Sequence, residues 1–221
     1  MERNSWLAKE FYNCELNMIA IVIPTWHRIE FTKMCLDSFF KYTNFDIVTK
    51  IKVFDNNSGK EMTDLLKSYD VEYEIGEFNN SWQGFNKFIK DDEIKNNNNI
   101  QYIGKVDNDV LFTKFWIEDI MNEFKKNKLI GSICYGTQAS NGRVSPLADS
   151  DGGGGLRVFN KNIVTEVGEN YRYAMCVPIM NKIKKLGYSM HQMEVGIKML
   201  DNEYPQIAQK YIPRGIQRRP Q

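Results

Sequence analysis

The sequence predicts an α/β protein built on an open, mostly parallel sheet with helices on both faces. Three observations carry this. Short segments that read as strands recur at 18–23, 47–54, 71–75, 100–106 and 130–135. Segments with apolar residues at helical spacing stand between most of them, and such alternation builds parallel strands joined by crossovers. The residues with the most chemistry, Pro24-Thr25, Asp55, and Asp107 with Asp109, each follow a strand run. Ligands of open α/β sheets bind beyond the carboxyl ends of the strands.

Residues 1–17 place Trp6, Leu7, Phe11 and Leu16 at rough helical spacing and read as an N-terminal extension. Met18 to Ile23 is a continuous apolar run closed by Pro24, the pattern of a buried strand stopped by proline. Ile29 to Tyr42 shows helical spacing through Phe31, Met34, Cys35, Phe39 and Tyr42. Ile47 to Phe54 is the second strand, ended by the turn sequence Asp55-Asn56-Asn57-Ser58-Gly59. Lys60 to Tyr69 reads as helix, Val71 to Ile75 as strand and Trp82 to Asp91 as helix. The asparagine run 96–99 is a connector to the strand Ile100 to Val106. Beyond Asp109, Phe115 to Phe124 reads as helix and Ile130 to Tyr135 as strand. Residues 136–155 form a long polar segment ending in Gly152 to Gly155; long loops of this kind are functional or disordered. Leu156 to Phe159 is extended, and Val177 to Leu186 is helical with Pro178 near its start. A tail from 211 to 221 carries Arg214, Arg218 and Arg219.

Composition narrows the function classes. A chain of 221 residues with 42% hydrophobic and 26% charged residues has the makeup of a globular α/β domain. The net charge of +1 gives no global field for nucleic acid or membrane. No run reaches the roughly 18 apolar residues of a membrane span, and the start does not read as a signal peptide, so a cytoplasmic location is expected. Cys14, Cys35, Cys134 and Cys176 lack Cys-x-x-Cys spacing, which argues against structural zinc and for buried thiols at Cys35 and Cys134.

The stretch Tyr102-Ile103-Gly104-Lys105-Val106-Asp107-Asn108-Asp109-Val110-Leu111 sets two carboxylates one residue apart at the end of a strand. If the strand ran on through them, both would point to one face. Such a pair suits Mg²⁺ or Mn²⁺, which take one or two carboxylates and complete their shell with water and substrate phosphates. A solvated strand end is the plainer reading of the same residues.

In order and spacing, four segments together resemble a family 2-type glycosyltransferase with the GT-A fold. They are Ile21-Val22-Ile23-Pro24-Thr25-Trp26-His27-Arg28, Val53-Phe54-Asp55-Asn56-Asn57-Ser58, Asn79-Asn80-Ser81-Trp82-Gln83-Gly84-Phe85-Asn86 and Lys105-Val106-Asp107-Asn108-Asp109. The third departs from the family pattern, with Ser81 where glycine is usual. The resemblance implies a Rossmann-like nucleotide-sugar half over 18–110 and an acceptor half over 111–210, forming a single domain. It implies a nucleotide-diphosphate-sugar donor, UDP-sugar favoured, and Mn²⁺ or Mg²⁺ as cofactor. Pro24, Thr25 and His27 match the loop that holds the nucleoside, and Asp55 the acid that bonds the base. Asn79, Gly84 and Asn86 match a segment beside ribose and phosphates. Asp107, Asn108 and Asp109 match the DXD motif, with Asp109 the direct metal ligand and Asp107 near the ribose or a second ligand. His191 is a candidate for a late additional metal ligand. Of Trp26, Trp82 and Trp116, only Trp82 is kept as a substrate contact, since aromatic residues at element boundaries are more often core.

The chemistry follows from the bond that breaks. Cleaving sugar from diphosphate places charge on the leaving phosphate, which a metal stabilises. An inverting enzyme also needs a carboxylate to accept the acceptor proton. The family's Glu-Asp pair is replaced here by Met175-Cys176. Asp151, beside the glycine run, is the first candidate base, with Asp149, Glu166 and Glu169 in reserve. Inversion is favoured over retention. The acceptor is expected to be a glycan, a lipid-linked molecule or a protein, with peripheral membrane contact through the basic tail and no nucleic acid. Two other classes compete: a non-catalytic sugar-nucleotide or glycan-binding protein, and a nucleotidyltransferase. The latter would want a Gly-rich basic loop after the first strand, which Pro24-Thr25-Trp26-His27 is not.

Overall fold

A computed structural model describes residues 18–77, 81–135, 155–168, 176–194 and 196–211. The expected extension 1–17, most of the loop 136–155 and the tail beyond Tyr211 lie outside the described residues.

In the first half, β1 (Met18–Thr25), β2 (Val48–Asp55), β3 (Glu72–Ile75) and β4 (Ile100–Val106) alternate with α1 (Ile29–Tyr42), α2 (Lys60–Lys67), α3 (Ser81–Lys90) and α4 (Asp92–Asn96). There follow β5 (Val110–Phe112), α5 (Ile117–Lys126), β6 (Ile130–Tyr135), β7 (Leu156–Asn160), α6 (Lys161–Gly168) and α7 (Cys176–Lys185). The described chain closes with β8 (Ser189–Met193), β9 (Ile197–Met199), α8 (Leu200–Glu203) and α9 (Pro205–Ala208). The seven-stranded sheet has the order β3-β2-β1-β4-β7-β6-β8. Within it β7 alone runs against its neighbours, pairing antiparallel with β4 and β6. A small sheet of β5 and β9 lies beside it.

Alternation along β1 sorts the core into two layers. Ile19, Ile21 and Ile23 pack with Cys35, Leu36 and Phe39 of α1 and with Ile117, Ile120 and Phe124 of α5. Ala20 and Val22 face Phe85 and Phe88 of α3, Ile163 and Val164 of α6, and Ile179 and Ile183 of α7. Both faces are thus covered, which is why β1 reads as an unbroken apolar run from Met18 to Ile23. Cys35 and Cys134 are buried and outside any disulfide.

One local expectation is corrected, and one condition is not met. Proline does not stop β1, which continues to Thr25 and keeps its register with β2 through Pro24–Phe54 and Thr25–Asp55. Pairing with β4 has already ended at Val22–Lys105, so on that side the missing N–H of Pro24 interrupts no ladder. The strand carrying the aspartates ends at Val106, and residues 107–109 form a turn closed by Val110 N donating to Asp107 O at 3.2 Å. Strand alternation therefore does not set the direction of the two carboxylates.

Candidate functional site

The carboxyl ends of β1, β2 and β4 surround a cleft of about 300 Å³, at the small end of the range for ligand pockets. Pro24, Thr25 and Trp26 line it from the end of β1, and Phe54 and Asn56 from the end of β2. Ser81 and Gly84 contribute from α3, and Asp107, Asn108 and Asp109 from the turn after β4.

Asp55 organises this edge from below. It is fully buried, and its carboxylate accepts from Thr25 Oγ1 and Ser58 N, each at 3.0 Å, and from Ser58 Oγ. Those donors occupy both oxygens, and Asn56, the next residue, faces the cleft. The loop after β1 is tied down by Asn56 N to Thr25 O at 2.9 Å and His27 N to Ser58 Oγ at 2.8 Å. His27 has φ +54°, uncommon for a residue with a side chain and typical of strain held at functional sites. It is exposed and does not line the cleft, whereas Trp26 does, with 58% of its surface open. Gly84 lets α3 lie against β2, since a Cβ there would meet Phe54 Cβ at 2.9 Å. Asn86 is buried within α3. Trp82 packs on Phe85 and Phe159 rather than lining the cleft.

The turn 107–109 is clamped on several sides. Asp107 N donates to Gly155 O at 2.6 Å, and Asn108 Nδ2 to Thr32 Oγ1 at 2.9 Å. Gly155 is needed there because a Cβ would sit 2.3 Å from Val110 Cγ2. Leu200 N donates to Asp109 O at 2.7 Å, which brings α8 onto the turn. Asp107 pairs with Lys105 Nζ. Asp109 Oδ2 accepts from Arg28 Nη1 at 2.8 Å, and Arg28 Nη2 reaches Asp201 Oδ2 on α8 at 3.2 Å. Burial, the charge of Asp107 and, to a smaller degree, that of Asp201 push the Asp109 carboxyl up to about 6, against the opposing pull of Arg28.

The remaining oxygens, Asp109 Oδ1 and Asp201 Oδ1, are buried without a hydrogen-bond partner. Orphaned buried carboxylate oxygens are costly, and a hard divalent cation is a ligand that would satisfy them. Among the described residues no cluster of three or more His, Cys, Asp or Glu side chains is gathered around a common point for a metal. His191 lies elsewhere, on the edge strand β8, with Nδ1 3.3 Å from Glu123 Oε1 on α5. It stands three strands from β4, about 14 Å at ordinary strand spacing. Glu166 is exposed on α6, while Asn79, Asp149, Asp151, Glu169 and Met175 lie outside the described residues.

Sequence reasoning passes over four residues that the fold gathers here. Trp26 and Asn56 sit within the segments that resemble the family, next to Thr25 and Asp55. Arg28 ends its segment, and its pairing with Asp109 spans 81 positions. Asp201 carries no signal of its own and meets Arg28 across 173 positions.

No protein-family profile matches the chain, and no curated protein matches it. Solved structures do. A mannosyltransferase from Pyrobaculum calidifontis, in complex with GDP-Man and Mn²⁺, superposes with TM-score 0.60 at 14% identity, over 79% of this chain and 54% of that one. Glucosyl-3-phosphoglycerate synthase from Mycobacterium tuberculosis, with Mn²⁺, UDP and phosphoglyceric acid, gives 0.60 at 10% identity over 80% and 68%. A 4-diphosphocytidyl-2C-methyl-D-erythritol synthase from Anaerococcus prevotii gives 0.58 at 13% identity over 89% and 98%. The chain thus matches about half the length of the mannosyltransferase. At such identities likeness fixes the fold and leaves chemistry to the site: the chain has the mostly parallel, GT-A-type α/β fold.

Proposed function

We propose that the protein transfers a sugar from a nucleotide-diphosphate sugar, a UDP-sugar favoured, to a hydroxyl of a glycan, lipid-linked or protein acceptor. The observation that carries this reading is the convergence of Trp26, Asn56 and the Asp107–Asp109 turn on one cleft at the carboxyl ends of β1, β2 and β4. In it the nucleoside lies between the exposed ring of Trp26 and the floor made by Thr25 and Phe54. Asn56 faces the base edge from the end of β2. Asp55 serves as the buried pin that fixes the two loops, rather than touching the base itself.

Asp109 Oδ1 would hold a divalent ion, with the Asp201 carboxylate across Arg28 as a second candidate ligand. The complexes of two structural neighbours with Mn²⁺ support such a cofactor. When bound, the ion supplies positive charge for the diphosphate as the sugar leaves. Arg28 holds the Asp109 and Asp201 carboxylates by their Oδ2 atoms, which leaves the Oδ1 atoms for the ion. Gly84 and Ser81 allow the α3 backbone to approach the phosphates. Asp151 remains the proposed base for inversion.

A nucleotidyltransferase is the second reading, favoured by one observation: the chain spans nearly the whole of the erythritol synthase neighbour. The loop Pro24-Thr25-Trp26-His27 counts against it, being neither glycine-rich nor strongly basic. Calorimetric titration separates these readings. The wild type and Asp109→Ala would be titrated with UDP-, GDP- and dTDP-sugars and with CTP, with and without Mn²⁺. Metal-dependent binding of one nucleotide-sugar class, lost in the variant, is the expected result. Preference for the triphosphate would move the assignment to nucleotidyl transfer, and no nucleotide binding by the folded protein would end both.

A further inference from the structure

Behind the cleft floor, the antiparallel register of β4 and β7 sets Lys105 directly opposite Arg157, and β6 adds Cys134 on the far side of Arg157. All three share the sheet face that carries Ile103 and Phe159 and is covered by α3, α6 and α7. The two cations are almost wholly enclosed, Lys105 being 5% exposed and Arg157 4%. Like charges paired across an antiparallel ladder repel, and a buried charge needs a counter-charge to be tolerated.

Among the described residues only one of the two has it. The Lys105 ammonium meets Asp107 and lies 5.0 Å from the Trp82 ring centroid. Among the described residues no carboxylate reaches Arg157. Its Nη1 donates to the thioether of Met180 at 3.1 Å, and its Nε is buried with no partner. A thioether is a weak acceptor, and guanidinium groups keep their charge in proteins. Among the described residues the pair therefore holds one buried positive charge without a counter-charge. Lys105 connects it to the cleft, because the Asp107 it touches lines that cleft.

We propose that Lys105 and Arg157 form an anion site that receives a phosphate or carboxylate group of a substrate entering past Asp107. Arg157 offers a planar fork for the oxyanion, and Lys105 adds a second charge from the neighbouring strand. On the sugar-transfer reading, on which only the identity of the carrier rests, the anion belongs either to the donor diphosphate or to an acidic acceptor. The site itself does not depend on that reading.

The test is thermal unfolding of the full chain at fixed ionic strength in chloride, with inorganic phosphate added, for wild type, Arg157→Met and Arg157→Gln. A structural arginine would stabilise the protein and ignore phosphate. An arginine kept for a ligand behaves oppositely: Arg157→Met in chloride melts higher than wild type by about 2–10 °C, since an unpaired buried charge is replaced by an apolar chain. Phosphate raises the melting temperature of wild type, and both variants lose that rise. Absence of any phosphate response in wild type overturns the proposal without recourse to a variant. A lower melting temperature for Arg157→Met with the phosphate response retained overturns it too.

Two further arms identify the carrier. Binding of UDP with Mn²⁺ that weakens at least tenfold in Arg157→Gln assigns the anion to the donor. Binding of glycerol phosphate in the presence of saturating UDP and Mn²⁺, lost in the same variant, assigns it to the acceptor. Wild type that answers to phosphate but binds no nucleotide would sink the sugar-transfer reading and leave the anion site standing.

Discussion

At the scale of single residues, Asp109 is held in a state that folding disfavours. Its folded carboxyl keeps a proton up to about pH 6, against an ordinary value of 3.8. The folded state therefore binds more protons than the unfolded one between those values, and stability falls as pH rises through that window. The contribution is full below about pH 4 and gone above about pH 6.5. Asp109→Asn is expected to be more stable than wild type at pH 7 by about 1–3 kcal/mol without metal, with its pH dependence between 4 and 6.5 flattened. Urea unfolding of both proteins at pH 4.5 and 7 checks this, and a less stable variant at pH 7 would contradict it. Trp26 is the opposite case, exposed and outside the core. Trp26→Ala is expected to leave the melting temperature unchanged and to weaken nucleotide binding by about 1–3 kcal/mol, the usual worth of a base stacked on an aromatic ring. Calorimetry reads the loss directly. The aspartates were legible in the sequence because carboxylates after an apolar strand stand out. Trp26 was not, since an indole at a strand end is chemically the same whether it turns inward or outward.

Among the elements, the placement of α3 depends on the absence of one methyl group. Gly84→Ala pushes a Cβ to 2.9 Å from Phe54 Cβ, and strand backbone cannot yield as a side-chain tip can. Overpacking of this kind costs about 1–3 kcal/mol, and denaturant titration is expected to show it together with weakened ligand binding, because α3 lines the cleft. A second element-level device is Lys161 at the start of α6. Its ammonium donates to the carbonyls of Ile94, Lys95 and Asn97 at 3.2, 3.2 and 2.8 Å, closing the end of α4. Burial lowers its pKa. Lys161→Met removes this shared donor, while Asn97 O keeps Ile100 N at 3.1 Å, and is expected to destabilise by about 1–3 kcal/mol, measured by the same titration. Element positions were readable from periodicity to within a residue or two for α1, α3, β4 and β6. The end of β1 was not, because proline disrupts a strand only where a neighbour needs its N–H. Whether β4 is still alongside at Pro24 is a fact of the sheet, not of the segment.

Over the whole molecule, the cleft joins parts of the chain that are far apart in sequence. α8 docks on the Asp107–Asp109 turn, and Arg28 ties Asp201 to Asp109. A ligand seated there should stabilise the protein as a unit. At a hundredfold excess over its dissociation constant, nucleotide with Mn²⁺ is expected to add about 2.7 kcal/mol, or about 5–10 °C in melting temperature. Asp201→Asn is expected to reduce the Mn²⁺-dependent part of that shift while leaving the nucleotide-only part, as scanning calorimetry would show. Alone, the sequence determined the α/β class and, apart from the short α4, the strand and helix order of the first half up to β4, and it pointed to the carboxyl edge for the candidate site. Local periodicity and turn chemistry act between near neighbours, and one chain records them. Tertiary structure decided which way each side chain faces and what it meets. It buried Asp55 under the loops, turned Trp26 into the cleft, set His191 against Glu123, brought Asp201 to Arg28 and set Arg157 on the Met180 thioether. Those outcomes depend on sheet register and on contacts across as many as 173 positions, for which no short segment carries a signature.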